Sequence, residues 1–274
     1  MMKHKYTLEI LFLVVVIAVS LVGFSSLALG ESPKLNGYHV LHIITNLAWL
    51  LLLLSQLVCI RQYRFHRHRT IGRSIFFAGP VLVASLTLLT VHSAAKDAVR
   101  GQADILVVQN VTFALEVALL VFLAFILRRN RSVHGALLMS TALLFMAIAL
   151  FFTLISYGPG YRIEGPETFG HFAEAAQTSA LICIVIGLLF FLKNWRTGWP
   201  WLLTSVFFVL NGYLQFLVAQ ADRTKSLTIL VASIGRIPAF TLGLTIFLAL
   251  LLVAWRVQPI TRTARGLITD PTRT

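Results

Sequence analysis

An all-α, polytopic membrane bundle of eight spans is the fold this sequence predicts, on three observations. Hydrophobic residues fill 58% of its 274 positions and charged residues only 12%, and mean hydropathy is +0.84. Apolar runs recur at about 20 residues, the length a helix rising about 1.5 Å per residue needs to cross a hydrocarbon core about 30 Å thick. Short polar breaks separate them. Such a composition lies outside the soluble range, so the formal charge of +13 is read as membrane topology rather than as a nucleic-acid footprint.

The spans fall in order at about 7–29, 38–60, 74–95, 104–127, 135–157, 171–192, 200–220 and 227–255, within one helical domain over 1–257. The first follows Lys3 and Lys5 and ends on Ala28-Leu29-Gly30, a pattern shared with cleavable signal peptides. A retained helix is the expectation; cleavage would leave seven spans with the same two faces. With the N-terminus cytoplasmic, sixteen Lys and Arg fall in inner segments, including the five arginines from Arg61 to Arg73, against Lys34, Lys96, Arg100, Arg162, Arg223 and Lys225 outside. Positive charge retards translocation of short loops, which places both termini in the cytoplasm of a bacterial-type inner membrane. Trp195, Trp199, Trp201 and Trp255 fall at the inner boundary, as an aromatic belt would. The tail 258–274, with Pro259 and Pro271 among scattered Thr and Arg, reads as a flexible cytoplasmic end. Cys59 and Cys183 lie inside apolar runs and support neither a disulfide framework nor a Cys-based zinc site.

A polar side chain at a span centre costs about 2.5 to 3.5 kcal/mol on insertion scales, so each must face protein, water or a ligand. Their spacing is ordered. Span two carries His39, His42 and Asn46 at i, i+3 and i+7, one face of a helix; span six carries His171, Glu174 and Gln177 or Thr178 in the same register. Span four carries Gln109, Thr112 and Glu116, and span three Ser85 and His92. Counting rise per residue puts His42, His92 and Glu174 roughly 5 to 6 Å inside the outer boundary, Arg236 of span eight about 13 Å inside, and Glu116 near the midplane. Asn211 and Gln215 of span seven reach the same outer half.

Three chemistries fit such a layer, and the first, with a role in haem binding or redox assembly, is the leading expectation. The first is haem b, with His42 and His92 (or His171) as axial imidazoles and Arg236 pairing a propionate. The second is a divalent metal held by His39, His42, His92, His171 and Glu174, which would suit a metal-dependent membrane hydrolase. The third is a pathway for a small molecule or proton lined by Glu116, Glu174 and Arg236, as in a transporter. Against these stand plainer roles. His39 and His171 lie at span ends, where an imidazole at headgroup level needs no partner; His42 and His92 could bond a carbonyl or a neighbouring Ser or Asn; Glu174 and Arg236 could neutralise each other. Pro238 and Gly79-Pro80 are expected to kink spans eight and three.

The cytoplasmic loop Arg61–Arg73 ends in His68-Arg69-Thr70-Ile71-Gly72-Arg73, an HRxxGR string directly before a span. It resembles the signature of a family of multi-pass membrane proteins known as domain of unknown function 2306. The resemblance covers about residues 39–155 and closes at His134, where the following Met139 stands one residue later than the family pattern. It implies a helical membrane fold and no activity. The basic turn with its His and Met is more faintly similar to small membrane proteins that assist haem-copper oxidase maturation, which is compatible with haem and redox assembly work. Spans two to three also echo spans four to five, through Asn46 and Asn110 and through His68 and His134. Anchoring of topology explains most of the loop, and its basic residues would attract anionic lipid headgroups at about 1 kcal/mol each. No Walker-type loop, HExxH, GxSxG or CxxC occurs, so nucleotide hydrolysis, zincin proteolysis, serine hydrolysis and thiol exchange lose their usual sequence support.

Overall fold

The structure is a computed structural model that describes residues 6–29 and 36–256, with 26–29 as helical backbone alone. Lys3, Lys5, Gly30, Lys34 and the tail 258–274 lie outside the described residues. Among the described residues ten α-helices follow one another: α1 (Thr7–Leu29), α2 (Gly37–Arg61), α3 (Phe65–Gly72), α4 (Ile75–Val99), α5 (Val107–Ile126), α6 (Arg131–Tyr157), α7 (His171–Lys193), α8 (Trp199–Gln220), α9 (Thr224–Ser233) and α10 (Arg236–Arg256). Among the described residues there is no strand. Eight of the helices, all but α3 and α9, are long and apolar enough to cross a membrane. The chain is an all-α polytopic bundle.

Local chemistry fixes where the helices begin and end. Asn36 caps α2 by accepting from the amides of Tyr38 and His39, both at 3.1 Å, and Asn130 caps α6 by accepting from Val133 N at 3.3 Å. Gly235 adopts φ +77°, a left-handed conformation that a side chain resists, and it splits the apolar stretch 227–255 expected to be one span. The result is the short α9 followed by the full-length α10. Pro238 thereby falls in the first turn of α10, where its missing N–H had no intrahelical partner to lose, so the expected kink in span eight gives way to a break before it. Pro80 does sit inside α4, next to Gly79.

Helices α4 and α6 are the enclosed members. The first packs against α2, α5, α9 and α10, and the second against α1, α5, α7 and α8. Lipid tails are as apolar as leucine, so close packing and interhelical hydrogen bonds hold such a bundle rather than expulsion from water. Small residues permit the approach: a Cβ on Gly23 of α1 would strike the Ala149 carbonyl of α6, one on Gly187 of α7 would strike Ser205 of α8, and one on Gly243 of α10 would lie 3.1 Å from Ala84 Cα of α4. Trp49 Nε1 donates to Thr141 Oγ1 at 2.9 Å, joining α2 to α6, and Thr87 Oγ1 donates to Ala239 O at 3.0 Å, joining α4 to α10. Trp201, expected in the interfacial belt, is instead buried and stacked on Phe190 at 4.4 Å, while Trp195 is exposed as a belt residue should be. Both cysteines are buried and free.

Candidate functional site

The bundle has two ends. The arginine rim holds α3, the α5–α6 turn and the α7–α8 turn; the histidine rim holds the starts of α2, α5, α7 and α10 and the short α9.

At the histidine rim Asn36 does more than cap α2. Its Nδ2 meets His92 Nε2 at 2.5 Å and its Oδ1 lies 2.8 Å from His39 Nδ1, so one amide joins imidazoles of α2 and α4. The two rings stand edge to face with centroids 5.8 Å apart, and Tyr38 covers His92 at 4.7 Å. Two cations, Lys96 and Arg236, act on this pair, Arg236 with its guanidinium 5.4 Å from the Tyr38 ring. One turn deeper, buried His42 places Nδ1 3.4 Å from Ser85 Oγ, which also bonds Thr45 Oγ1 at 2.7 Å. Asn46 follows on the same α2 face, 1% exposed, with neither amide atom partnered. Trp49 and its bond to Thr141 close the series. From Asn36 to Trp49 the α2–α4 seam thus carries a polar ladder roughly 20 Å long.

The second zone lies between α5 and α8. Glu116, 6% exposed, has the side-chain amide of Asn211, itself 8% exposed, within hydrogen-bonding reach. Glu116 Oε2 and Asn211 Oδ1 remain without partners. Of the stripe Gln109, Thr112 and Glu116, the Thr112 hydroxyl returns to its own helix, to Val108 O and Gln109 O.

Other expected site residues stand elsewhere. Arg236, placed about 13 Å deep by counting along a continuous span, is exposed at the head of α10, because Gly235 breaks the helix ahead of it. His171 bonds the Arg162 carbonyl at 2.9 Å on the α6–α7 side of the bundle, and α7 packs on α6 and α8 rather than beside α2 and α4. Glu174 is exposed on the wall of an open cleft of about 490 Å³ shared with Tyr161, Gln177 and Thr178, and among the described residues it forms no ion pair with Arg236. Among the described residues, no three of His, Cys, Asp and Glu converge as a metal-holding group.

At the arginine rim the HRxxGR string forms the second half of α3 and the Arg73 that follows it. The Gln56 amide, in the orientation that satisfies both of its ends, donates to His68 Nδ1 at 2.5 Å and His68 O at 3.0 Å and accepts from Gly72 N at 3.2 Å. Arg128 donates to the carbonyls of Phe125, Ala254 and Trp255 at 2.7–2.9 Å, satisfying the last turns of α5 and α10. His134 bonds Ala124 O at 2.7 Å, so each basic turn has a histidine fastened to the span before it.

Asn36, Tyr38, Lys96 and Gln56 were not singled out by sequence reasoning. An Asn directly before a helix start is the one available signal among them, an N-cap signature. Comparison with the models of known protein families, with curated proteins and with solved structures finds no match. Fold and site together define the class: a multi-pass helical membrane protein with a histidine-lined polar ladder and a separate buried acid–amide pair.

Proposed function

We propose that this protein is a membrane transporter or small-molecule-binding protein that admits a small polar solute along the α2–α4 ladder. The supporting observation is Asn46. A fully buried amide lacking all partners costs about 1 to 3 kcal/mol relative to a satisfied one, and it lies deep in a run of polar groups that begins at the half-buried rim. A polar group of a solute, or a water, bonding the Asn46 amide would recover the loss. Lys96 and Arg236 beside the imidazoles favour an anionic group at the mouth. The rim charges support the orientation read from the sequence, termini cytoplasmic in an inner membrane, with the Arg61–Arg73 loop against anionic headgroups. The HRxxGR resemblance is compatible with this reading and adds no activity to it.

The test is labelling in a background with Cys59 and Cys183 replaced by Ala. His42→Cys and Ser85→Cys should react with a membrane-impermeant thiol reagent applied from the histidine rim, and Leu53→Cys, buried in the apolar core, should not. Unreactive cysteines at both ladder positions would mean a dry, purely structural seam.

A second reading, haem or metal binding for redox or oxidase assembly, draws on the imidazoles of His39 and His92 facing each other across two helices. His42 and Arg236 stand on the same end of the bundle, with His171 on another side. An optical spectrum and elemental analysis of the same purified protein decide it, because a colourless, metal-free preparation leaves the solute pathway alone.

A further inference from the structure

We infer that Glu116 and Asn211 form a proton-binding site, in which one proton on the carboxyl closes a two-bond ring between acid and amide. In its consequence for transport, naming the proton as the coupled species, this rests on the pathway reading above; the protonation itself does not.

The argument begins with what is left over. Asn211 can donate through its amide nitrogen to one Glu116 oxygen, and the atoms then unsatisfied are Glu116 Oε2 and Asn211 Oδ1. With the carboxylate ionised both are acceptors and neither has a donor. A proton on Oε2 makes it a donor, and the one buried acceptor beside it on the pair is Oδ1. The same proton removes a negative charge from a site that hydrocarbon cannot solvate.

Surrounding groups offer no other neutralisation. Among the described residues no ionised group acts on Glu116. The helices packed on α5 are α4, α6, α8, α9 and α10. Their titratable groups stand at helix ends: His92, Lys96 and Asp97 on α4, Arg131, His134 and Tyr157 on α6, Lys225 on α9, Arg236 and Arg256 on α10. Tyr213 of α8 is exposed on the outer surface of the bundle. A metal cation would find three side-chain oxygens in the pair, fewer than the six to eight that hard cations take; a proton needs one.

Polar side chains also stand between the site and the histidine rim. Glu116 and Asn211 both lie nine residues, roughly 14 Å, from the histidine-rim ends of their helices. Gln109 and Thr112 stand above Glu116 on one face of α5, and Gln215 stands one turn above Asn211 on α8, donating to Ile105 O at 3.1 Å. Two polar stripes therefore flank the approach to one buried carboxyl.

Infrared difference spectroscopy of the full-length, detergent-purified protein tests this directly. Wild type minus Glu116→Gln at neutral pH should show the carbonyl band of a protonated carboxyl, and that band should shift in deuterium oxide. In Asn211→Leu it should move to higher frequency as the amide bond is lost, with Asn211→Val as the second variant should Leu prevent folding. Glu116→Gln, whose amide can still pair with Asn211, should keep the wild-type melting temperature, whereas Glu116→Leu should lower it. Absence of a protonated-carboxyl band, or a band indifferent to both Asn211 variants, overturns the proposal. So does a carboxylate band accompanied by a melting temperature that rises when sodium replaces potassium, since that identifies a metal cation as the occupant. The cysteine labelling of the α2–α4 ladder reads neither residue, so the two readings can fail separately.

Discussion

At His68 an imidazole is one of the groups that fasten the arginine loop to the bundle, and its protonation state decides whether its own bond from the Gln56 amide holds. Burial holds the imidazole below its ordinary value near 6.5, with His134 and then Arg69 adding to the effect and a bond to the Gln56 backbone opposing it. The docked state therefore favours neutral His68, whose Nδ1 can accept from the Gln56 amide. Its contribution to docking is complete above pH 6.5 and is lost as pH falls through the lower folded value. Hydrogen exchange of the Phe65–Gly72 amides, corrected for intrinsic rates, should accordingly speed up between pH 7.5 and 5.5, and Gln56→Ala should be fast across that range. Constant protection in the wild type would show that this contact does not anchor α3. The residue scale is also where the sequence was least complete. Spacing along one helix grouped His39, His42 and Asn46 correctly on one face, and depth counting brought His92 near them. Which neighbouring helix a face meets is not written in spacing, so His171 and Glu174 were drawn into a layer they do not share.

Element boundaries follow from physics that sequence displays openly, because a span must be about 20 residues and apolar whatever surrounds it. Eight spans were legible on that ground. The last run exceeded the requirement by several residues and contained Gly235, and the surplus is what folds as α9. Packing between elements is less visible, since the glycines that permit contact look like any others in an apolar run. Gly23 is a case with consequences for whether α1 is an integral part of the bundle. Its missing side chain lets α1 lie against Ala149 and Thr153 of α6, while Leu13, Val16 and Ser20 of the same helix are fully buried. Gly23→Ala forces a methyl into the Ala149 carbonyl and should cost about 1 to 3 kcal/mol as overpacking. It should lower the melting temperature in detergent, whereas Gly135→Ala, with nothing within 4 Å of the added carbon and alanine the better helix former, should leave it unchanged or raise it. Equal melting temperatures for the two variants would mean that α1 does not pack on α6 as described.

Across the whole molecule charge is partitioned between the two ends. Among the described residues the arginine rim carries Arg61, Arg64, Arg67, Arg69, Arg73, Arg128, Arg129, Arg131, Lys193, Arg196 and Arg256 against Glu9, which Lys193 pairs at 2.7 Å. The histidine rim balances Lys96, Arg100, Arg162, Arg223, Lys225 and Arg236 with Asp97, Asp104, Glu164, Glu167, Glu174 and Asp222. An end that is nearly neutral crosses the membrane during insertion more readily than one with a large positive excess, so the arginine rim is expected to stay in the cytoplasm. Alkaline phosphatase fused after Gly101 or Gly160 should then be active and fused after Arg64 or Arg129 inactive, since the enzyme folds only when exported (a property of the reporter, independent of this chain). Activity in the reverse pattern would place the histidine rim inside and require the solute to enter the ladder from the cytoplasm. Activity at both members of a pair that one span separates, such as Arg64 and Gly101, would contradict the span count itself.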